Sequence, residues 1–516
     1  MVRLRKTALN SGVTLFFFIL TVLVNFIARK IFLVYLGTEY LGLNTTLVSV
    51  IDFLFLMELG VTSSVAVALY KPIAEHNRVH INELMWLMRY FYRYVAFAII
   101  VVGLLFSPLI PELTAKSDIA SGMSYIAYVA FLLTAAANFF FGYPRVLFRA
   151  DQKNYILIIA NNLIVYVKIL LQAISVYYTS NYLYWLFLEL SFGIFSHYYV
   201  LFQYKSYYKD LEIKSRFTFK KLIQKYNDVF YDAKRIALQS FSGYISRQSS
   251  NIIIATVINL STVTYFGNYM MLFNNVNMMI WTVMQNVWAG VGDLVATSSK
   301  EQVYKVYREI LSFSFYIQIV IAFGLLVLTQ DFITLWLGQE YVLASNVLYL
   351  LVASLAFGAF TNANTCFLAA YRFFDDAWMS VLEAFLTAGF GILLTLKFGI
   401  LGVLGGVLIG ILLMFFWKPY YLYKKAFDEY VSSYFVVVSK MFFFSFIIYW
   451  IINCVVVKPL KEYLGVNNWG EWLLWAFVCV SIYAIILAIV LAISDKGFST
   501  FVKRFISFRK SKDECR

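Results

Sequence analysis

Three cationic side chains stand inside long apolar stretches of this sequence: Arg29, Lys168 and Arg247. A charge placed in hydrocarbon costs at least about 2.5–3.5 kcal/mol, so such residues face a cavity or a partner. Grouped cations suit the holding of an anion. Their companions at helical spacing are amides and hydroxyls. Thr14, Thr21, Asn25 and Arg29 share one face, with Lys30 beside it; Ser240, Arg247 and Asn251 share a second; Asn161, Lys168, Gln172 and Ser175 make a third. The acidic set is smaller: Asp52, Glu58, Glu189, Asp293, and Glu383 on a face with Asp376, Ser380 and Thr387. Asp52, Glu58 and Glu383 are candidates for ion coupling or gating. Asn277, Trp281, Gln285 and Trp288 form a stripe in which indole faces and amides could contact a sugar.

Each group has a structural alternative. Arg29, Lys168 and Arg247 could form buried ion pairs, and Lys30 could snorkel outward. Arg89, Arg93 and Lys440 read as cations snorkelling to headgroups. The Asn277 stripe could serve helix packing, with Trp288 an interfacial anchor. His76, His80 and His197 are scattered, and Cys366, Cys454, Cys479 and Cys515 are far apart and form no CxxC pair, so neither a metal site nor a disulfide scaffold is indicated, and no cofactor is expected.

The elements that must position these residues follow from composition. The 516 residues are 62% hydrophobic and 14% charged, too apolar to be covered with polar surface in water. Apolar runs of roughly 20 residues predict fourteen transmembrane helices: Gly12–Leu36, Gly42–Tyr70, Leu84–Phe106, Gly122–Phe141, Tyr155–Tyr178, Tyr182–Phe202, Ile236–Ile258, Thr264–Val291, Ile310–Leu328, Ser345–Ala370, Trp378–Leu396, Ile400–Trp417, Tyr434–Val457 and Glu471–Ile493. Ile400–Trp417 is the weakest, being short and rich in glycine. With the N-terminus inside, inside segments hold 31 of the 42 Lys+Arg and outside loops hold four. That asymmetry places both termini in the cytoplasm. It also explains the net charge of +14 without nucleic acid: the basic excess faces an anionic inner leaflet. The first apolar run is too long for a signal peptide and lacks a cleavage site, so it reads as a retained helix.

The loop Lys205–Arg235 carries Phe219, Leu222, Ile223, Tyr226 and Phe230 at helical spacing, with Lys220, Lys221 and Lys225 around them. It predicts a basic amphipathic helix on the inner leaflet; Phe498–Ile506 repeats the pattern. The first six spans echo the next six. Tyr40-Leu41-Gly42 matches Tyr265-Phe266-Gly267, and Leu147-Phe148-Arg149-Ala150 matches Phe367-Leu368-Ala369-Ala370. An even number of spans per repeat makes the repeats parallel. The expected organisation is all-α: an N-lobe over 1–205, the linker over 206–235, a C-lobe over 236–425, and a helix pair with a basic tail over 426–516. The two pseudo-symmetric six-helix lobes would enclose a central cavity, with Glu383 opposite Lys168.

Tyr35-Leu36-Gly37, Glu39-Tyr40-Leu41-Gly42-Leu43-Asn44, Glu58-Leu59-Gly60 and Leu69-Tyr70-Lys71-Pro72 resemble the opening of polysaccharide repeat-unit flippases of the O-antigen and capsule type. Leu335-Trp336-Leu337-Gly338 with Glu340-Tyr341 adds to the resemblance. Those proteins belong to the superfamily that also holds multidrug antiporters and the lipid II flippase. The resemblance implies a bacterial cytoplasmic-membrane transporter, not an enzyme, that moves polyprenyl-diphosphate-linked oligosaccharides outward by alternating access for capsule or exopolysaccharide assembly. Its partners would be the lipid-linked oligosaccharide, the bilayer and polysaccharide-assembly proteins. Arg29, Lys168 and Arg247, with Asn25, Asn251 and Gln172, would hold the diphosphate; Asn277, Trp281 and Gln285 would contact sugars. Coupling to a proton or sodium gradient stays open. The rival readings are a lipid II flippase, a multidrug or cation antiporter (which favours an acidic cavity and twelve spans), and a membrane glycosyltransferase or polymerase. The last generally needs catalytic residues on external loops, and here Gly37–Leu41 offers only Glu39 and Pro108–Ser121 only Glu112, Lys116 and Asp118.

Overall fold

A computed structural model describes residues 2–58, 60–211, 213, 217–227, 229, 241–245, 248–373, 376–427 and 429–504. All regular structure among them is helical. The main helices are α1 (Val2–Leu54), α2 (Val61–Ala74), α3 (Arg78–Phe106), α4 (Ser121–Gly142), α5 (Asn154–Thr179), α6 (Tyr182–Tyr207), α7 (Phe219–Lys225), α8 (Leu260–Thr297), α9 (Lys300–Trp336), α10 (Ser345–Ala370), α11 (Ala377–Phe398), α12 (Ile400–Ala426), α13 (Val431–Ile452) and α14 (Trp469–Ser494). Eleven helices among the described residues are long and apolar enough to cross a membrane. The chain is a multi-pass membrane protein.

α14 shows why. It is apolar all round, as a helix in lipid must be. Trp475, Cys479, Tyr483, Leu487 and Leu491, four apart, are buried. Leu473, Phe477, Ile485, Ile489 and Ile493 are exposed to what can only be hydrocarbon. The first candidate span, Gly12–Leu54, has 43 residues. At 1.5 Å per residue that is about 64 Å, twice a hydrocarbon core of about 30 Å. Gly37 breaks it, with φ of 83°, a conformation open to glycine and costly to other residues. The chain beyond is broken again by a 3₁₀ turn at Phe55–Glu58 and by the left-handed Gly60 that opens α2.

The weakest expected span is a full helix. α12 extends nine residues past Trp417, and its glycines are the reason it packs. A Cβ at Gly402, Gly406 or Gly410 would collide with Leu394 and Thr395, with Gly391, or with Thr387 of α11. Glycines four apart let two backbones approach where lipid supplies no hydrophobic drive. Gly399, with φ of 57°, makes the tight turn between the two helices.

Contacts divide the chain into two compact units, Met1–Thr264 and Tyr265–Arg516. The first therefore includes the segment 248–258. Each unit holds one of the turns that echo each other in sequence. Gln152 and Arg372 are both left-handed, at φ of 57° and 56°. Asp151 N–H donates to Leu147 O and Lys153 N–H to Phe148 O, each at 2.8 Å; Tyr371 N–H donates to Phe367 O and Phe373 N–H to Leu368 O, each at 2.9 Å. The same C-terminal cap closes both helices.

Among its described residues, the basic linker is not a free amphipathic helix. α7 has seven residues, and the face expected to meet lipid packs on α3. Leu222 is fully buried, and the Phe219 ring lies 5.4 Å from that of Tyr94. Lys225 Nζ is 2.6 Å from Glu83 Oε2, which also accepts the Tyr226 hydroxyl at 2.7 Å. Burial and this bond to a carboxylate raise the Tyr226 phenol above its usual range. Phe230 lies outside the described residues. In the second unit the C-terminal segment docks similarly: Arg308 Nη2 is 3.2 Å from Asp495 Oδ1, Arg504 Nη1 is 3.1 Å from Glu309 Oε2, and Phe313 stacks on Phe501 at 4.3 Å.

Candidate functional site

Three polar clusters of the first unit hold site candidates. The first joins α1 to the segment 248–264, which runs antiparallel to it. Gln248 Nε2 donates to Asp52 Oδ2 and Asn251 Nδ2 to Ser49 Oγ, each at 3.0 Å. Further along, the Thr38 and Ser261 hydroxyls lie 3.0 Å apart, Thr264 Oγ1 donates to Thr38 O at 2.7 Å, and Arg29 Nη2 donates to Thr264 O at 3.3 Å. Gly42 permits the approach, because a Cβ there would strike the Leu260 carbonyl. The candidate residues Arg29, Asp52 and Asn251 therefore belong to one seam. Arg247 lies outside the described residues, as does Ser240.

The second place is an ion pair between α5 and α6. Lys168 Nζ donates to both carboxylate oxygens of Glu189, at 2.8 and 2.9 Å. Gln172 Nε2 donates to Glu189 Oε2 at 2.9 Å and to Trp185 O at 3.2 Å. The sequence places Lys168 and Gln172 on one helical face; the structure adds the acid that this face meets. The cation expected to attract an anion is already neutralised within its own unit.

The third place follows the break before α2. Glu58 Oε1 accepts the Tyr92 hydroxyl at 2.5 Å and the Thr62 hydroxyl, and those hydroxyls are 2.9 Å apart. Glu58 thus ties the 3₁₀ turn to α3. Elsewhere in the unit, where α4 and α6 pack, Arg145 donates to Asn138 Oδ1 and lies 2.7 Å from His197 Nδ1.

In the second unit, Lys418 Nζ donates to Thr365 Oγ1 at 2.6 Å, and the Glu383 side chain runs beside Gly410 of α12. Asn277 and Trp281 are exposed on α8; the Gln285 and Trp288 side chains lie outside the described residues. Asn25 and Lys30 are exposed on α1, and Thr21 turns to Tyr166 at 2.8 Å and Asn162 at 3.2 Å. Lys71 forms an exposed 3.8 Å pair with Glu75.

Arg145, Lys418 and Glu83 escape a reading that counts loop residues as solvated. The repeat contains the signal: nearly the same step along the chain carries Arg145 to Thr365 and His197 to Lys418. A polar contact on one unit thus marks its equivalent on the other.

No protein-family model and no curated protein sequence matches the chain. Solved structures do. The fold is one found in a lipid II flippase and in multidrug transporters of the MATE family. A lipid II flippase, MurJ in an inward closed conformation, aligns with a TM-score of 0.68 over 93% of this chain and 98% of that one, at 13% identity. An inward-facing multidrug resistance transporter of the MATE family, within the MOP superfamily, aligns with a TM-score of 0.57 over 78% of this chain and 94% of that one, at 14% identity. A MATE transporter from Vibrio cholerae aligns with a TM-score of 0.54 over 83% and 99%, at 15% identity. At these identities the similarity is one of fold.

Proposed function

We propose that this protein is a flippase that carries a polyprenyl-diphosphate-linked oligosaccharide repeat unit across the bacterial cytoplasmic membrane, by alternating access, with both termini in the cytoplasm and fourteen spans. The observation that carries the reading is the structural similarity to the lipid II flippase over nearly the whole of both chains. The match to the multidrug transporter covers 78% of this chain, against 93% for the lipid II flippase. The shortfall is about the size of a helix pair such as α13 and α14. A drug antiporter fits less of the molecule.

The chemistry agrees. A diphosphate bears about two negative charges and cannot cross hydrocarbon without compensation. Arg29 supplies a cation at the Thr264 end of the seam between α1 and the segment 248–264; Arg247, next before Gln248 in sequence, would supply a second, met at another stage of the passage. Guanidinium binds phosphate oxygens in bidentate fashion. Asn25 and Asn251 add amide donors. Lys168 and Gln172, held by Glu189, shape the wall and contribute less charge. Asn277, Trp281 and Gln285 meet the sugars, and Asp52, Glu58 and Glu383 are the groups through which a proton or sodium gradient would couple. The opening motifs, from Tyr35 to Pro72, favour a polysaccharide repeat unit; the similarity to MurJ supports lipid II as the second reading.

The test is deletion in the native host, with mass spectrometry of lipid-linked intermediates. Accumulation of an oligosaccharide repeat unit is expected. Accumulation of lipid II moves the protein to the second reading, and accumulation of neither refutes both.

A further inference from the structure

The first unit holds a cavity of ≈ 700 Å³ that uses none of the residues assigned above to the carrier site. Three chain segments wall it: the α2–α3 turn, the turn between the Arg145–Ala150 helix and α5, and the end of α6. Each brings one cation, Arg78, Lys153 and Lys209 respectively. Two aspartates answer two of them. Lys153 Nζ is 2.6 Å from Asp151 Oδ2, with both side chains mostly buried. The Tyr208 hydroxyl donates to the same oxygen at 2.9 Å, and Lys153 lies 5.0 Å above the Tyr208 ring. That wall is fixed. Arg78 and Asp210 are 3.4 Å apart with 67% and 74% of their side chains exposed. A pair so solvated contributes little, which leaves Arg78 able to turn to another anion. Lys209 makes no ion pair among the described residues. The lining therefore carries a surplus of one positive charge, beside apolar Ile73 and Leu147.

Two of the walls are turns closed by backbone hydrogen bonds. His76 and Gln152 are left-handed, at φ of 53° and 57°, and Asn77 N–H donates to Pro72 O at 2.9 Å as Lys153 N–H does to Phe148 O. The equivalent turn of the second unit is a control supplied by the chain itself. It has the same hydrogen bonds, but Tyr371 and Phe373 replace Asp151 and Lys153, and their rings stack at 5.3 Å. The ionic wall is therefore not a by-product of the turn.

We propose that this cavity is a binding site for a singly charged phosphate group, distinct from the carrier site. The third cation matches one phosphate charge, the pliable Arg78 closes over it, and the apolar wall receives what the phosphate is attached to. On the cytoplasmic orientation above, all three walls meet the inner leaflet. The phosphate then comes from an anionic lipid headgroup or from a soluble phosphate.

The test compares full-length wild type, Lys209→Ala, Arg78→Ala/Lys209→Ala and a control, Lys205→Ala, an exposed lysine of α6 outside the lining. Bound lipid is measured by native mass spectrometry after equilibration with phosphatidylglycerol and phosphatidylcholine vesicles. Melting is measured in phosphatidylcholine nanodiscs with and without inorganic phosphate. A preference for phosphatidylglycerol that falls about five-fold per cation removed, and is kept by Lys205→Ala, assigns the site to a lipid headgroup. Stabilisation by inorganic phosphate that is lost in Lys209→Ala assigns it to a soluble phosphate. Equal losses in Lys205→Ala and Lys209→Ala, or no response of wild type to either probe, overturn the proposal.

Discussion

Replacing Glu189 by leucine should destabilise the protein more than removing the ion pair altogether. In wild type both oxygens of Glu189 hold the Lys168 ammonium, at 2.8 and 2.9 Å, and only 17% and 20% of the two side chains are exposed. Glu189→Leu leaves the ammonium without its counter-charge between two membrane helices. Breaking a buried pair from one side costs about 3–5 kcal/mol, and the residual exposure argues for the lower figure. Unfolding entropy near 2.1 cal/mol/K per residue, over the 264 residues of the first unit, gives about 0.55 kcal/mol/K and hence a melting point lowered by about 5 °C. Helices that persist in the membrane-unfolded state reduce that entropy, so the shift is a lower bound. Lys168→Met/Glu189→Leu removes both charges and should return to within about 1 kcal/mol of wild type, as apolar replacement of buried pairs does. Tryptophan-fluorescence melting in nanodiscs reads the stability, and proteoliposome flipping of a labelled diphosphate-linked glycolipid reads the function. The double variant should keep transport within about threefold, because the pair it removes is net neutral. A double variant that melts no higher than Glu189→Leu would refute the energetic reasoning. One that folds but loses transport tenfold would show that Lys168 itself holds the diphosphate.

Arg29→Ala/Arg247→Ala, which removes both guanidinium groups proposed to hold the diphosphate, should lower transport at least tenfold at unchanged protein level; 10-fold corresponds to about 1.4 kcal/mol. Gly410→Val drives a branched side chain into Thr387 and should cost about 2 kcal/mol or more, with partial rescue by Thr387→Ala; melting of the two variants checks this. Glu83→Gln weakens the clasp on Lys225, 38% exposed, by about 1 kcal/mol after solvent screening. Protease cleavage within residues 212–235 should then rise several-fold while the membrane helices stay intact.

Most of the spans were legible because hydrocarbon imposes a stringent rule. Uninterrupted apolar length marks α9, α10, α13 and α14 without ambiguity. The same rule misjudges ends and partners. α12 reads as too short because Lys418 looks like the start of a loop, yet the helix continues past it and Thr365 accepts a hydrogen bond from its ammonium. Lys168 reads as an anion site because its face shows amides and a cation, while its partner Glu189 belongs to a different helix whose rotation no periodicity fixes. The linker reads as lipid-bound because amphipathicity states that a face must be covered and not what covers it. Here α3 does so, through Glu83, Tyr90 and Tyr94.

The two equivalent contacts explain why the repeat is faint in letters and clear in geometry. Arg145 stands on the span-four side of its pair and His197 on α6; in the second unit the cation is Lys418 on α12, and Thr365 on α10 is its acceptor. A buried charge between two helices needs one cation and one acceptor, and either helix can supply either. Exchange of the two roles preserves the energy of the contact while erasing the identity of both residues. The cap at Gln152 and Arg372 survives the same way, because its hydrogen bonds are made by backbone and tolerate any side chain that accepts a positive φ. Two halves of one chain can therefore diverge until only such contacts remain, and the polar positions at which they agree are better guides to the shared architecture than the motifs at which they do not.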